Sequence, residues 1–239
     1  MMEYIELKIF LILKKDIHFR KCGYVLGSLI GEVMSKDKET FVLHQSNRYK
    51  NYCFDYLYPI SKDGVYKTNN MYNFNIHTIN KEFAEKLKSL LDNYNNDYVK
   101  IIMTKNEVVK KHHIDTLKTI TPLIITLERD ENGKINFSDL MNLRDIVIEK
   151  LVIKYSKYIG EFIDVKEAQG MFYNFKVISS PICLDYKGIK LCGIKVTGDI
   201  APDTLSQNLA FFSEAVGLGE KNSAIGAGFV KSERRNDYL

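Results

Sequence analysis

The sequence predicts an α+β protein in which two βαββαβ units follow one another, each with its helices on one face of an antiparallel sheet. Three observations carry that prediction. Ile5, Leu7, Ile9, Leu11 and Leu13 alternate at first with Glu6 and Lys8, the period-two mark of a strand with one buried face. Strand-like and helix-like segments then succeed one another in the same order in both halves, although the halves share no residue-level identity. Finally, 239 residues at 45% hydrophobic and 27% charged suffice for one large core or two small ones and argue against disorder. The best architecture is therefore tandem ferredoxin-like, with residues 1–115 and 116–239 as the two domains. No Gly/Ser- or Pro-rich linker marks the seam near Asp115.

In the first half, Ile5 to Leu13 forms the opening strand. A short helix follows, with Leu26, Leu29, Ile30 and Val33 at helical spacing, preceded by Gly23 and ended by Ser35-Lys36-Asp37-Lys38. The aromatic stretch Asn51 to Tyr58, the turn Ser61 to Gly64 and the β-like Val65 to Ile79 give two strands and a hairpin. Asn80 can cap a helix whose apolar face is Phe83, Leu87, Leu90 and Leu91, and Val99 to Met103 resumes as a strand.

In the second half, Ile120 to Leu127 reads as a strand before a polar turn containing Asn132-Gly133, and Ser138 can cap a long helix carrying Leu140, Leu143, Val147 and Leu151. Phe172 to Leu184 pairs with Ile189 to Ile200 around Asp185-Tyr186-Lys187-Gly188. Pro202 suits the first turn of a helix bearing Leu205, Leu209, Phe212 and Val216, with Gly217 at its exit. A last strand near Ala224 to Lys231 completes the order.

Composition narrows the function classes. Cys22, Cys53, Cys183 and Cys192 lie apart with no C-x-x-C pair, which suggests neither a zinc site nor a disulfide framework and suits a reducing cytoplasm. The opening apolar run is too short and too charged to span a bilayer or act as a signal core, so no membrane partner is expected. A net charge of +4 permits a nucleic-acid partner without requiring one. Trp is absent, but 15 Tyr and 13 Phe leave many rings able to stack on a base.

The sharpest motif is Gly217-Leu218-Gly219-Glu220-Lys221-Asn222-Ser223-Ala224-Ile225-Gly226-Ala227-Gly228, which holds four of the 14 glycines. Such a segment can present backbone N–H groups along a phosphate path with Lys221 beside it. A dinucleotide fingerprint would follow a strand and open a helix, whereas this segment follows a helix; a Walker loop has different spacing. A bend between helix and strand would need about two glycines. The second motif is Leu43-His44-Gln45-Ser46-Asn47-Arg48-Tyr49-Lys50, in the polar connection after the first helix. A histidine can move protons in phosphodiester cleavage and a lysine can stabilise charge on a pentacoordinate phosphorus, although a lone loop histidine is more often a bystander. Lys110-Lys111-His112-His113 reads as a solvated basic strand end, with RNA backbone contact as the lesser reading. His18 and His77 have no evident partners, and Asp130 and Glu131 show no metal-ligand spacing.

These residues together resemble a known family, the CRISPR-associated repeat-processing endoribonucleases, the sixth of the Cas proteins, in the RAMP superfamily. The segments Gly217 to Ser223 and Gly226-Ala227-Gly228 look like the family's glycine-rich loop. Ile120-Thr121-Pro122-Leu123 looks like the strand opening its second domain. Leu43-His44, then Lys50 and Tyr52-Cys53-Phe54, is similar to its catalytic segment. The resemblance implies cleavage of CRISPR repeat RNA without a metal or other cofactor, by 2′-OH attack that leaves a 2′,3′-cyclic phosphate and a 5′-OH. It casts His44 as general acid or base and Lys50 as the group that stabilises charge. Gly217, Gly219, Lys221, Asn222, Ser223, Gly226 and Gly228 would contact RNA. Many relatives add a tyrosine from the first helix where this chain has Gly31, leaving Tyr24, Tyr49 and Tyr52 as substitutes. The loop also has six residues between Gly219 and Gly226 where five is usual. Further partners would be other effector-complex subunits or a second copy. The rival readings are a non-catalytic RNA-binding subunit and, behind it, a nucleotide-binding enzyme.

Overall fold

The computed structural model of the chain describes residues 2–46, 48–126 and 140–233. Its first half runs β1 (Glu3–Leu13), β2 (Ile17–His18), α1 (Phe19–Met34), α2 (Lys38–Gln45), β3 (Tyr52–Phe54), β4 (Val65–Tyr66), β5 (Met71–Thr78), α3 (Lys81–Leu91) and β6 (Val99–Lys110). The alternating face of β1 places it at the centre of an antiparallel sheet ordered β3-β5-β1-β6. Its residues Leu7, Ile9, Leu11 and Leu13 meet Leu26, Ile30 and Val33 of α1 and Phe83, Leu87 and Leu91 of α3 in one core. Asn80 caps α3 as expected, its Oδ1 accepting from the Phe83 N–H at 2.9 Å.

Two expectations in this half are corrected. The first helix starts earlier, at Phe19, and His18 is not without a partner: its Nδ1 accepts from the Arg20 N–H at the helix start. The stretch expected as polar connection contains a second helix. Asp37 Oδ1 takes the N–H groups of Glu39 and Thr40 at 3.1 and 3.0 Å, so α2 is nucleated by its cap. His44 stands on its last turn and not in a loop.

The second half runs β7 (Thr116–Thr119), α4 (Leu140–Ile159), β8 (Phe172–Val177), β9 (Ile182–Tyr186), β10 (Ile189–Gly193), β11 (Val196–Ile200), α5 (Thr204–Val216), α6 (Asn222–Ile225) and β12 (Val230–Glu233). Its sheet, β12-β7-β11-β8, reproduces the first sheet's order when strands are counted within each half. Two ferredoxin-like units are thus present. The turn at Asn132-Gly133, Leu127 and the Ser138 cap lie outside the described residues.

The opening strand of this half lies four residues before its expected start. Pro122 has no N–H to give a ladder, and the apolar run beyond it is extended but makes only isolated bridges, Leu123 to Ile194 and Ile124 to Glu220. The expected long strand pair divides: β8 and β11 pair in the sheet, while β9 and β10 form a separate hairpin. The helix after Pro202 begins at Thr204, capped by Asp203 Oδ1, which accepts from the Ser206 N–H at 2.9 Å. Residues 222–225 are a helical turn, so the last strand begins only at Val230.

The cysteine reading is also corrected. Cys183 and Cys192 are opposite one another in the β9–β10 register and form a disulfide, with their Cα atoms 4.0 Å apart. They stand nine positions apart in the sequence, and the two-residue turn at Lys187-Gly188, both at positive φ, folds one onto the other. Cys22 and Cys53 are buried thiols. Among the described residues no helix is long and apolar enough to cross a membrane.

Helix α5 joins the halves. Its Glu214 and Ala215 carbonyls accept from the Cys53 thiol of β3, and the Glu214 carbonyl also bonds His77 Nδ1 of β5 at 2.8 Å. His77 Nε2 meets Glu6 Oε2 of β1 at 2.8 Å, so this histidine too has partners.

Candidate functional site

Helix α1 carries Gly23, Gly27 and Gly31 four residues apart, hence on one face. A Cβ at Gly23 would lie 2.2 Å from the Ile225 carbonyl oxygen, and one at Gly27 only 2.0 Å from that of Ala224. The short α6 of the glycine-rich segment therefore docks directly on this bare backbone. One turn further, a Cβ at Gly31 would lie 2.7 Å from His44 Cε1. The position where the resemblance leads one to expect a tyrosine instead makes room for the imidazole.

His44 is half-buried on α2, and its Nδ1 is buried without a hydrogen-bond partner. Burial, then the charges of Lys50 and Lys187, hold its pKa below the usual 6.5, so the neutral ring dominates at neutral pH. Lys50 Nζ donates to the His44 carbonyl at 2.5 Å, fixing the two expected residues side by side, and burial lowers its own pKa. Lys187, at the tip of the β9–β10 hairpin, is a site residue that turn-reading alone did not reveal. The two-residue turn places it, bringing a second-half cation to a first-half histidine.

The glycine-rich segment is tied down from within. Asn222 Nδ2 donates to the Leu218 and Ala227 carbonyls, both at 2.7 Å, and its Oδ1 accepts from Lys154 Nζ at 2.6 Å. Lys154 Nζ also donates to the Gly217 carbonyl at 3.1 Å. All four glycines have positive φ, between 64° and 76°. The backbone donors of three of the four glycines expected along a phosphate path are engaged within the chain. The N–H groups of Gly217, Gly226 and Gly228 are bound by Ser213, Asn222 and Pro122 carbonyls, and these residues are buried. The Asn222 side chain is likewise turned inward. Gly219, Lys221, Asn222 and Ser223 line a cleft; Lys221 is exposed and Ser223 is half-buried.

That cleft, about 360 Å³ in volume, lies between the halves. Arg48, Lys50, Lys150, Lys154 and Lys221 supply cations to it, and Glu220 is its carboxylate, held by Lys150 at 2.6 Å and by the Thr126 hydroxyl at 2.9 Å. His44 adjoins this cleft through Lys50 but does not line it. Tyr49 and Tyr52 do; Tyr49 is exposed, whereas the buried Tyr52 hydroxyl donates to the Ser223 carbonyl at 3.2 Å and burial raises its pKa. Tyr24 lines a different cavity, edge-on to Tyr186.

The remaining candidates have structural partners. His112 Nε2 lies 3.1 Å from the Ser232 hydroxyl, and His113 Nε2 lies 3.4 Å from Asp115. Asp130 and Glu131 fall outside the described residues. Among the described residues no three His, Cys, Asp or Glu side chains come together as a metal site would need.

No protein-family model matches the chain, and no curated protein does. Solved structures match along nearly its whole length. A CRISPR associated protein Cas6 is similar over 97% of this chain and 100% of its own, with 22% identity and a TM-score of 0.73. A RAMP protein binding different RNA substrates is similar over 96% and 100%, with 17% identity and a TM-score of 0.74. The product of a Cas6-related gene from Pyrococcus furiosus is similar over 98% and 100%, with 18% identity and a TM-score of 0.69. The chain thus resembles Cas6 and RAMP proteins and has their fold.

Proposed function

We propose that the chain is an endoribonuclease that processes CRISPR repeat RNA without a metal ion. The carrying observation is the half-buried His44 imidazole, kept neutral by burial and by the charges of Lys50 and Lys187, next to a cleft lined with cations. In this reading a ribose 2′-oxygen attacks the adjacent phosphorus and the P–O5′ bond breaks. The proton leaving the 2′-OH and the proton gained by the 5′-oxygen are handled by His44. Lys50 stabilises the added negative charge on the pentacoordinate phosphorus, the task a metal would otherwise perform. The products are a 2′,3′-cyclic phosphate and a 5′-OH.

The test is incubation with repeat RNA from the same host in excess EDTA, beside the same RNA carrying 2′-deoxyribose at the scissile position. Only the unmodified RNA should be cut, and His44→Ala should abolish cutting while RNA binding persists. Undiminished cleavage by His44→Ala overturns the assignment. Binding by the wild-type protein without cleavage favours a non-catalytic RNA-binding subunit instead. That second reading draws on Gly31, which supplies no hydroxyl, and on the Lys50 ammonium already donating to the His44 carbonyl.

A further inference from the structure

Lys154 belongs to helix α4, where its neighbours Leu151, Val152 and Tyr155 are buried in the second-half core. Only 5% of its surface is exposed, yet it forms part of the wall of the cleft that holds Lys50. Its two acceptors, Asn222 Oδ1 and the Gly217 carbonyl, are both neutral. An ammonium has three N–H donors, so one more acceptor can be bound. Glu220, whose charge acts on it, is already held by Lys150 and Thr126, and among the described residues no carboxylate forms an ion pair with Lys154. A buried cation without a counter-ion is costly, and a protein that only needed to clamp its loop could do so with a neutral donor.

We propose that Lys154 is a phosphate-binding residue whose counter-ion is an RNA phosphodiester entering the cleft beside Lys50. The proposal rests on the reading of the substrate as RNA. It gives the glycine-rich segment a particular task. By engaging two of the lysine's protons through Gly217 and Asn222, the loop holds the ammonium at the cleft wall and leaves one proton for an acceptor there. Burial pushes the Lys154 pKa down to about 8, the Lys150 charge adds to that, and the Glu220 carboxylate opposes it. A phosphate in the cleft would push it back up.

The experiment uses the whole chain and repeat RNA blocked by 2′-deoxyribose at the scissile position. Lys154→Met keeps the aliphatic stem and removes the ammonium. Its affinity should fall about tenfold, and the slope of log K against log salt should become shallower by about 1, the loss of one phosphate contact. A lower melting temperature with the wild-type slope means that Lys154 only clamps the loop, and overturns the proposal. Should the variant fail to fold, the Cε resonance of Lys154 in the wild-type protein, assigned with Lys154→Arg, is titrated with pH. Blocked RNA should raise its midpoint; no change with blocked RNA overturns the proposal. Cleavage of unblocked RNA is scored separately. Lost cleavage chemistry with an intact Lys154 response removes only the endoribonuclease reading, and the converse removes only Lys154.

Discussion

A methyl group at residue 31 would lie 2.7 Å from His44 Cε1, closer than two carbons can approach, so Gly31→Ala must displace the ring. Displacements of about 1 Å at a reacting group can cost about 100-fold in rate. Cleavage by Gly31→Ala should fall by that order while affinity for blocked RNA stays within about twofold, as single-turnover and binding measurements would report. The charge of Lys187 disfavours the imidazolium, so removing it should raise the His44 pKa. Lys187→Gln should accordingly move the acid limb of the kcat/KM profile to higher pH, toward the ordinary value near 6.5. The wild-type limb lies lower. Residue type made His44 and Lys50 candidates, and the resemblance to a known family singled them out and drew attention to Gly31. The sequence did not point to Lys154, whose position inside an otherwise apolar helical stripe resembles solvated punctuation until the fold buries it. Lys187 was visible only as a turn residue, since its approach to His44 crosses from one half to the other.

Helix α1 spends three turns of its surface on glycine, and the return is an approach no side chain would permit. Alanine at position 27 would gain about 1 kcal/mol of helix propensity. Its Cβ would meet the Ala224 carbonyl at 2.0 Å, a backbone atom that cannot rotate away. Overpacking of that kind costs about 1–3 kcal/mol, so Gly27→Ala should lower the urea midpoint. The β9–β10 hairpin makes few contacts except through its own ladder, the α1 flank and the small cluster around Ile124 and Ile225. Closing its short loop with Cys183–Cys192 contributes about 2–3 kcal/mol in the chain-entropy account. Replacing both cysteines with serine should speed amide exchange over residues 182–193 first, and leave β1 and β5 protected. Periodicity revealed most helices and strands because their apolar faces are long. It missed α2, whose eight residues bury only Thr40, and the disulfide, which exists only once a hairpin register opposes two distant cysteines.

The halves are held together by polar as well as apolar contacts. Glu6 on the first sheet is kept below the usual carboxylate pKa chiefly by its hydrogen bond with His77, which also binds α5 of the second half. A depressed carboxylate pKa contributes stability that is present above the ordinary value of 4.5 and is lost as pH falls through the folded value. Glu6→Gln should remove this component, giving a flatter loss of stability between pH 4.5 and lower values in denaturant titrations. The repeated strand order was readable from the sequence because each half follows the same pattern of periods. The face that joins them was not, since it depends on carbonyls, glycines and one buried histidine, none of which leaves a period. The docking of residues 222–226 on α1 also bears on biosynthesis. Synthesis runs from the N-terminus, so the first sheet and its helices can assemble early. The bare face of α1 and the Tyr52 hydroxyl must then wait for roughly two hundred further residues before their covering exists. A nascent chain halted before Asn222 therefore leaves the glycine face of its first helix uncovered, a natural target for chaperones and proteases.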